Sequence, residues 1–127
     1  SYYSGLQNLK VLAGIKNKIG NLQIRDAMKR VGLDPDLKLS VKKYSLGMRQ
    51  RLGLAQAMME SPSVLILDEP MNGLDKNGVE EIRQLLLSMK NDHKTIVIAS
   101  HNAEDIQVLC DEVYEMENGK LCNMNTV

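Results

Sequence analysis

Two adjacent carboxylates, Asp68 and Glu69, directly follow an apolar run at residues 64–67. Four apolar residues in succession, with no polar alternation, predict a strand that is buried on both faces of a parallel sheet. Acids at the mouth of such a strand would lose hydration, at a cost of roughly a few kcal/mol for each ion, unless a cation or substrate occupies the site. Mg²⁺ prefers such oxygen ligands, and the second acid could orient or deprotonate a water molecule. The alternative is a strand that ends in two solvated acids.

Three further motifs lie in a fixed order around these acids. Upstream, residues 44–52 read Tyr-Ser-Leu-Gly-Met-Arg-Gln-Arg-Leu and run into a helical pattern. Downstream come Asn-Gly-Leu-Asp at 72–75 and an apolar strand at 95–99, which is followed by Ser-His-Asn at 100–102. A serine hydroxyl and free backbone amides at the start of a helix can hold an anion. Ser45 could equally serve only as the N-cap of that helix.

The order of these four motifs resembles the C-terminal two-thirds of an ABC-type ATPase domain, with its signature, Walker B, D-loop and switch histidine. The resemblance covers nearly the whole chain. It implies an α/β fold, a partial P-loop NTPase of the ABC type. In this arrangement a helical subdomain at residues 1–43 precedes the Walker B half of a mostly parallel core sheet at residues 44–127. It also implies ATP and Mg²⁺ as cofactors of the intact subunit.

The resemblance assigns a role to each residue near the acids. Asp68 is expected to orient Mg²⁺, and Glu69 is expected to polarise the water that attacks the γ-phosphate. His101 directly follows a strand, so its ring can lie over the carboxyl edge of the sheet, where the resemblance implies that it senses the γ-phosphate. Asp75 resembles the D-loop aspartate that communicates across a dimer. An ordinary turn aspartate before a helix is the alternative for Asp75.

Ser45 and Gly47 match the signature residues that, in the family, contact the γ-phosphate of ATP held on the opposite subunit. The sequence departs from the common Leu-Ser-Gly-Gly-Gln form at Tyr44, Leu46 and Met48. Leucine cannot let the backbone approach a phosphate as closely as glycine can. We therefore expect this contact from Ser45 and Gly47. The basic segment after the signature also matches the family, with a solvated helix face as the alternative.

Hydrophobic periodicity predicts the elements that position these motifs. A first helix presents Leu6, Leu9, Ala13 and Lys16 on one face, and a second presents Ile24, Ala27, Met28 and Val31 and ends at Gly32. Further helices are expected at 48–60, 77–90 and 102–110, and strands at 64–67, 95–99, 113–116 and 121–124. The Asn118-Gly119 pair predicts a tight hairpin between the last two strands. Asn102 and Asp105 are expected to cap the last helix.

No phosphate-binding loop of the form G-x-x-x-x-G-K-[ST] occurs in the 127 residues. In the family this loop precedes the point at which the chain begins, so the chain is interpreted as a fragment of a longer subunit. By resemblance, the strand before that loop would lie between strands 95–99 and 113–116. Its absence would leave strand edges that need another partner. We expect the fragment to bind ATP weakly, and either to self-associate through those edges or to keep ordered helices beside a loosened sheet.

Composition excludes several other classes of protein. Sixteen basic and sixteen acidic residues cancel, and four tyrosines are the whole aromatic content. Without a basic footprint or an aromatic stacking surface, nucleic-acid binding is not expected. The apolar runs are far shorter than the ~20 residues that a transmembrane helix needs. Cys110 and Cys122 are isolated and are expected to be reduced, partly buried thiols of a cytosolic protein rather than a disulfide.

These observations favour the ATP-binding subunit of an ABC transporter. The resemblance implies a head-to-tail dimer with a second ATP-binding subunit, a transmembrane permease as partner, and a cytoplasmic position on the inner face of the cell membrane. The form of the signature resembles exporters of antimicrobial peptides or drugs. A soluble ABC protein that acts on ribosomes or chromosomes, and a non-catalytic interaction protein with the same fold, are the alternatives.

Overall fold

The computed structural model describes residues 3–16 and 20–126, and within them the elements follow the predicted order. The helices are α1 (Gly5–Lys16), α2 (Asn21–Arg30), α3 (Leu46–Met58), α4 (Lys76–Asn91) and α5 (Ala103–Leu109), with a short 3-10 helix at Val41–Lys43. The strands are β1 (Val64–Asp68), β2 (Thr95–Ala99), β3 (Glu112–Glu117) and β4 (Lys120–Thr126).

The observed bounds from α3 onward differ from the predicted ones by at most two residues. The largest shift is at α3, which begins at Leu46 because the Ser45 hydroxyl accepts a hydrogen bond from the Met48 amide (3.1 Å) and caps the helix. α2 ends at Arg30, two residues before the predicted Gly32, which follows the helix with φ 84°. There the Leu33 amide donates to the Met28 carbonyl across Gly32 (2.9 Å).

The four strands form two separate two-stranded sheets in the described part of the chain. β1 and β2 pair in parallel, from Val64 opposite Thr95 to Asp68 opposite Ala99. β3 and β4 form an antiparallel hairpin. Both turn residues, Asn118 (φ 51°) and Gly119 (φ 77°), adopt the positive φ that a two-residue hairpin turn requires, as the sequence predicts.

The expectation that strand 64–67 is buried on both faces is wrong. Leu65 and Leu67 are buried, whereas Val64 and Ile66 point to the opposite face and Ile66 is 78% exposed. The helices α3 and α4 pack against β1 and β2 on one side, and the described residues leave the other face open. The expected desolvation of the two acids is therefore wrong as well, because Asp68 is exposed and the Glu69 side chain is 36% exposed.

The core lies between this sheet and the helices. The predicted inner face of α1 is buried at Leu9 and Ala13, and Leu6 packs against it, while the Lys16 side chain lies outside the described part. All four predicted residues of the second helical pattern are buried. The largest fully buried side chains are Leu9, Met28, Val31, Leu65, Ile82, Leu86 and Met89.

Arg51 joins three helices at one point. It lies on α3, and its Nη1 atom donates to the Val31 carbonyl at the end of α2 (2.7 Å) and contacts Glu81 Oε2 of α4 (3.1 Å). The Arg51 side chain is only 16% exposed. The alternative of a purely solvated helix face is therefore wrong for this residue.

A largely buried ion pair joins α4 to α5. Arg83 Nε and Nη2 both donate to Asp105 Oδ1, at 2.8 and 2.5 Å, and the two side chains are 11% and 7% exposed. The hydrogen bond that Arg83 donates to Asp105 raises the pKa of Arg83 above its ordinary value, against the opposing effect of burial. Asp105 does donate its amide to the Asn102 side chain (2.9 Å), as the expected capping pair requires. Its carboxylate, however, has a second role that the sequence does not indicate.

We expect Asp105→Asn to lower the free energy of unfolding by about 2 kcal/mol, because the partly buried Arg83 guanidinium loses its nearest counter-charge and keeps only the exposed Glu104, whose Oε1 atom lies 3.8 Å from Arg83 Nη1. The change should be measured by urea denaturation followed by circular dichroism. Asp111→Asn is the matched control, since the Lys90–Asp111 pair is exposed at 40% and 71%. The control should lose less than about 1 kcal/mol. Equal losses of unfolding free energy in the two variants would show that the Arg83–Asp105 pair stabilises the fold no more than an exposed ion pair does.

Candidate functional site

Glu69 and His101 meet at the carboxyl edge of β1 and β2. The His101 backbone amide donates to Glu69 Oε1 (3.0 Å), and the His101 Nε2 atom lies 3.9 Å from the same oxygen. The second distance is too long for a hydrogen bond. The His101 side chain is fully exposed. The ring is therefore available to a ligand at this edge, while the backbone of the same residue orients the carboxylate.

The backbone of Glu69 is held on both sides. Its amide donates to the Ala99 carbonyl (2.8 Å), which extends the β1–β2 pairing by one step. Its carbonyl accepts from Asn72 N (3.1 Å) and from Gln50 Nε2 (2.6 Å). Glu69 has φ 47°, a left-handed conformation that is rare for a residue with a side chain. These contacts maintain a conformation that the isolated residue would disfavour.

Asp68 ends β1 opposite Ala99 and is exposed. No described residue forms a hydrogen bond or ion pair with its carboxylate. No group of three or more His, Cys, Asp or Glu residues in the described ranges could hold a metal by itself. An open carboxylate fits Mg²⁺, because this ion keeps several waters and is commonly bound by one or two carboxylates together with substrate phosphates.

Ser45 is the N-cap of α3 and is exposed. Its Oγ atom accepts from the Met48 amide, so the capping alternative raised by the sequence is correct for this structure. A hydroxyl that accepts one hydrogen bond still has its own proton to donate. Capping and contact with an external anion are therefore compatible at Ser45.

Gly47 and Asp75 belong to two segments that pack on each other. A Cβ atom added at Gly47 would lie 3.0 Å from the Gly73 carbonyl oxygen, which leaves little room for any side chain. Gly73 has φ 81° and lies under Leu46, whose Cγ atom would be 2.6 Å from an added Cβ. Asp75 caps α4 by accepting from the Gly78 amide (2.8 Å). The turn-aspartate alternative for Asp75 is thus also observed.

The structure therefore brings the predicted residues together as two groups. Asp68, Glu69 and His101 share the sheet edge, and Ser45 and Gly47 lie at the start of α3, beside the 72–75 segment. A cleft of about 680 Å³ is lined by Glu69, residues 71–74, α4 and the start of α5. It is not lined by Asp68, Ser45 or His101.

Sequence reasoning missed the residue that connects the two groups. Gln50 lies on α3, five positions after Ser45, and donates to the Glu69 carbonyl. The only sequence signal for Gln50 was its place in the segment that follows the signature, and that place does not indicate a hydrogen bond to Glu69.

The comparisons with known proteins agree with the motif order. A family model described as ABC transporter matches residues 5–72. The uncharacterized ABC transporter ATP-binding protein YybJ of Bacillus subtilis is 45% identical, over 94% of this chain and 55% of the relative. The bacitracin transport ATP-binding protein BcrA of Enterococcus faecalis is 39% identical, over 95% of this chain and 40% of the relative. The lantibiotic transport ATP-binding protein SrtF of Streptococcus pyogenes is 39% identical, over 93% of this chain and 51% of the relative.

A solved structure also matches the fold. The dimeric structure of MJ0796, described as a bacterial ABC transporter cassette, superposes with a TM-score of 0.81 at 21% identity, over 93% of this chain and 54% of that one. The chain spans about half the length of the curated relatives that it matches. It has the α/β fold of an ABC ATPase cassette, in part, and belongs to the ABC transporter family.

Proposed function

We propose that this chain is part of an ATP-binding subunit that hydrolyses ATP to power transport across a membrane. The observation that carries the proposal is the contact between the His101 amide and Glu69 Oε1 at the edge of two parallel strands. Ligands of open α/β folds bind outside this edge. The relatives named as transport ATP-binding proteins support the same reaction.

In the proposed reaction Glu69 orients the attacking water and accepts its hydrogen bond. Phosphoryl transfer depends on position and charge more than on covalent chemistry by the protein. The fixed backbone of Glu69 and the hydrogen bond from His101 supply that position. Asp68 would hold Mg²⁺, which neutralises phosphate charge when bound. The exposed His101 ring is proposed to contact the γ-phosphate.

We propose that Ser45, Gly47 and Asp75 act across a head-to-tail dimer of ATP-binding subunits, with Ser45 and Gly47 on the partner's nucleotide. Two observations support this arrangement. Ser45 is exposed at the start of α3, where its hydroxyl and the positive helix end favour an anion. The matching cassette is described as dimeric. Within this chain Ser45 bonds to Met48 rather than to the acids or His101.

The proposal includes a transmembrane permease as a separate partner. No helix in the described ranges has the length and apolar character needed to cross a membrane. From the family membership we propose a cytoplasmic subunit that docks on the inner face of the membrane, with a helical subdomain at residues 1–43 and the core at residues 44–127. The relatives named for bacitracin and lantibiotic transport favour a peptide antibiotic as the transported substrate.

In an intact subunit that carries this chain, Glu69→Gln should lower ATP turnover by about 100-fold or more, since it removes the basic carboxylate. ATP binding should persist, and dimers should accumulate in the closed form, because glutamine can still accept from the His101 amide. Steady-state ATPase assays and light scattering measure both effects. Glu115→Gln, on the exposed β3, is the control and should behave like the parent protein. Near-normal turnover in Glu69→Gln would remove Glu69 from the reaction.

Ser45→Arg should abolish ATP-dependent dimerisation and leave the nucleotide affinity of the monomer little changed. Ser45→Asp separates the two roles of this residue, because aspartate is also a strong N-cap but would repel a phosphate. We expect Ser45→Asp to retain the thermal stability of the parent protein and to lose dimerisation. A sharp fall in monomer affinity in either variant would contradict a contact across the dimer.

A mixed dimer tests the same assignment independently. In the proposed dimer, each of the two sites combines Asp68 of one subunit with Ser45 of the other. When one subunit carries Ser45→Arg and the other carries Asp68→Asn, one of these two sites keeps both residues. When both changes lie in one subunit, no such site remains. We expect ATPase activity only in the first arrangement. Activity only in the second arrangement would show that Ser45 and Asp68 serve the same subunit's nucleotide, because the unchanged subunit would then keep a complete site.

The 127-residue chain alone should not bind ATP with micromolar affinity, because its sequence has no phosphate-binding loop to hold the nucleotide. β2 pairs with β1 alone among the described strands, so its other edge is open to another chain. We therefore expect either self-association through this edge or ordered helices beside a loosened sheet. Calorimetric titration with ATP and Mg²⁺, together with size-exclusion light scattering, tests both expectations. Micromolar binding by a strictly monomeric, fully ordered chain would contradict them.

A further inference from the structure

Gln50 is the one side chain that joins the start of α3 to the backbone of Glu69 in the described part of the chain. Its Nε2 atom donates to the Glu69 carbonyl oxygen at 2.6 Å, across 19 residues of sequence, and the contact is partly buried. A glutamine amide carries two donors, so this bond uses one of them. The bond is directed at the backbone of Glu69, which leaves the carboxylate free for chemistry.

The conformation of Glu69 gives this bond its significance. With φ 47°, Glu69 lies in a region that residues with a side chain rarely adopt. Such residues persist only where the surroundings determine their conformation, and they cluster at functional sites. The carbonyl that Gln50 contacts also accepts from Asn72 N (3.1 Å). Loss of the Gln50 bond would leave that longer backbone contact to hold the peptide.

Because Gln50 lies on α3, a movement at the start of this helix can reach Glu69 through the contact. α3 begins at Leu46, directly after Ser45, and Gln50 follows within the next helical turn and a half. A helix moves largely as a rigid body, so a displacement of its first turn also displaces Gln50. Gly47 in the same turn packs against the Gly73 carbonyl, close to the 72–75 segment that follows Glu69.

We propose that Gln50 is a positioning residue, which transmits the state of the Ser45–Gly47 end of α3 to the carboxylate of Glu69. This inference rests on the proposed ATPase function. The Gln50–Glu69 bond is already formed in this structure, so a shift of α3 would carry the Glu69 peptide with it. When Ser45 and Gly47 engage a nucleotide on a partner subunit, α3 is fixed in one position, and through Gln50 the carboxylate is fixed in line with the water. Hydrolysis is thereby coupled to dimer closure through a bond within one chain.

The test uses an intact subunit that carries this chain and three substitutions at one position. Gln50→Glu keeps the shape but has no donor when ionised, and Gln50→Met removes all polarity. Gln50→Lys keeps a donor on a flexible side chain that can reach the carbonyl. Gln56→Met is the matched control, because Gln56 lies on the same helix but is exposed and its side chain forms no hydrogen bond with the described residues.

We expect kcat for ATP to fall by about tenfold in Gln50→Glu and Gln50→Met, with KM changed by less than about twofold, since small displacements of a catalytic group mainly affect the chemical step. Gln50→Lys should recover most of kcat, and Gln56→Met should match the parent. ATP-dependent dimerisation should persist in all four variants. A merely structural role would lower thermal stability without this separation of kcat from KM and without rescue by lysine.

The outcomes distinguish the inference from the proposed function. If the parent subunit does not hydrolyse ATP, the proposed function fails. If the parent is active and Gln50→Glu keeps kcat within about twofold, or if lysine gives no rescue in a folded variant, the positioning role is wrong while the function stands. Gln50→Met serves the same purpose should the added charge of glutamate prevent folding.

Discussion

The parallel, in-register pairing of β1 with β2 is the constraint on which the site depends. Because Asp68 lies opposite Ala99 and the pairing continues through Glu69 N to the Ala99 carbonyl (2.8 Å), both strands end at the same level. The residues that follow, Glu69 and His101, are then forced to be neighbours. A shift of one residue would turn Leu65 and Leu67 away from the helices. The buried face of the sheet and the position of the carboxylate are therefore set by the same register.

The site also depends on the hydrogen bonds that converge on Glu69. Its backbone is bonded to β2, to the turn that follows and to α3, and its side chain accepts from the His101 amide. A residue at φ 47° is stabilised by these partners together. The signature helix, the acids and the histidine form one connected unit, although Ser45 itself bonds only locally. Such an arrangement can make hydrolysis depend on what happens at the start of α3.

The sequence predicts much of this because the relevant signals are local. Apolar periodicity places the helices and strands, the Asn118-Gly119 pair defines the hairpin, and the rule that parallel strands end at one edge brings Glu69 to His101. The exposure of Ile66 could not be predicted, because an apolar run does not reveal which layers cover it. The Arg83–Asp105 and Gln50–Glu69 contacts join residues 22 and 19 positions apart. No period or motif specifies such a pair, since it arises only after the helices have packed.

The most direct measurement of the central claim is a crystal structure of an intact subunit that carries this chain, with Mg²⁺, ADP and vanadate bound as a mimic of the transition state. The account predicts a Glu69 carboxylate oxygen within about 3 Å of the apical vanadate oxygen. It also predicts the His101 ring on an equatorial oxygen, and Gln50 still bonded to the Glu69 carbonyl. A Glu69 carboxylate turned away from the vanadate, with another residue of the subunit at the apical oxygen, would contradict the account.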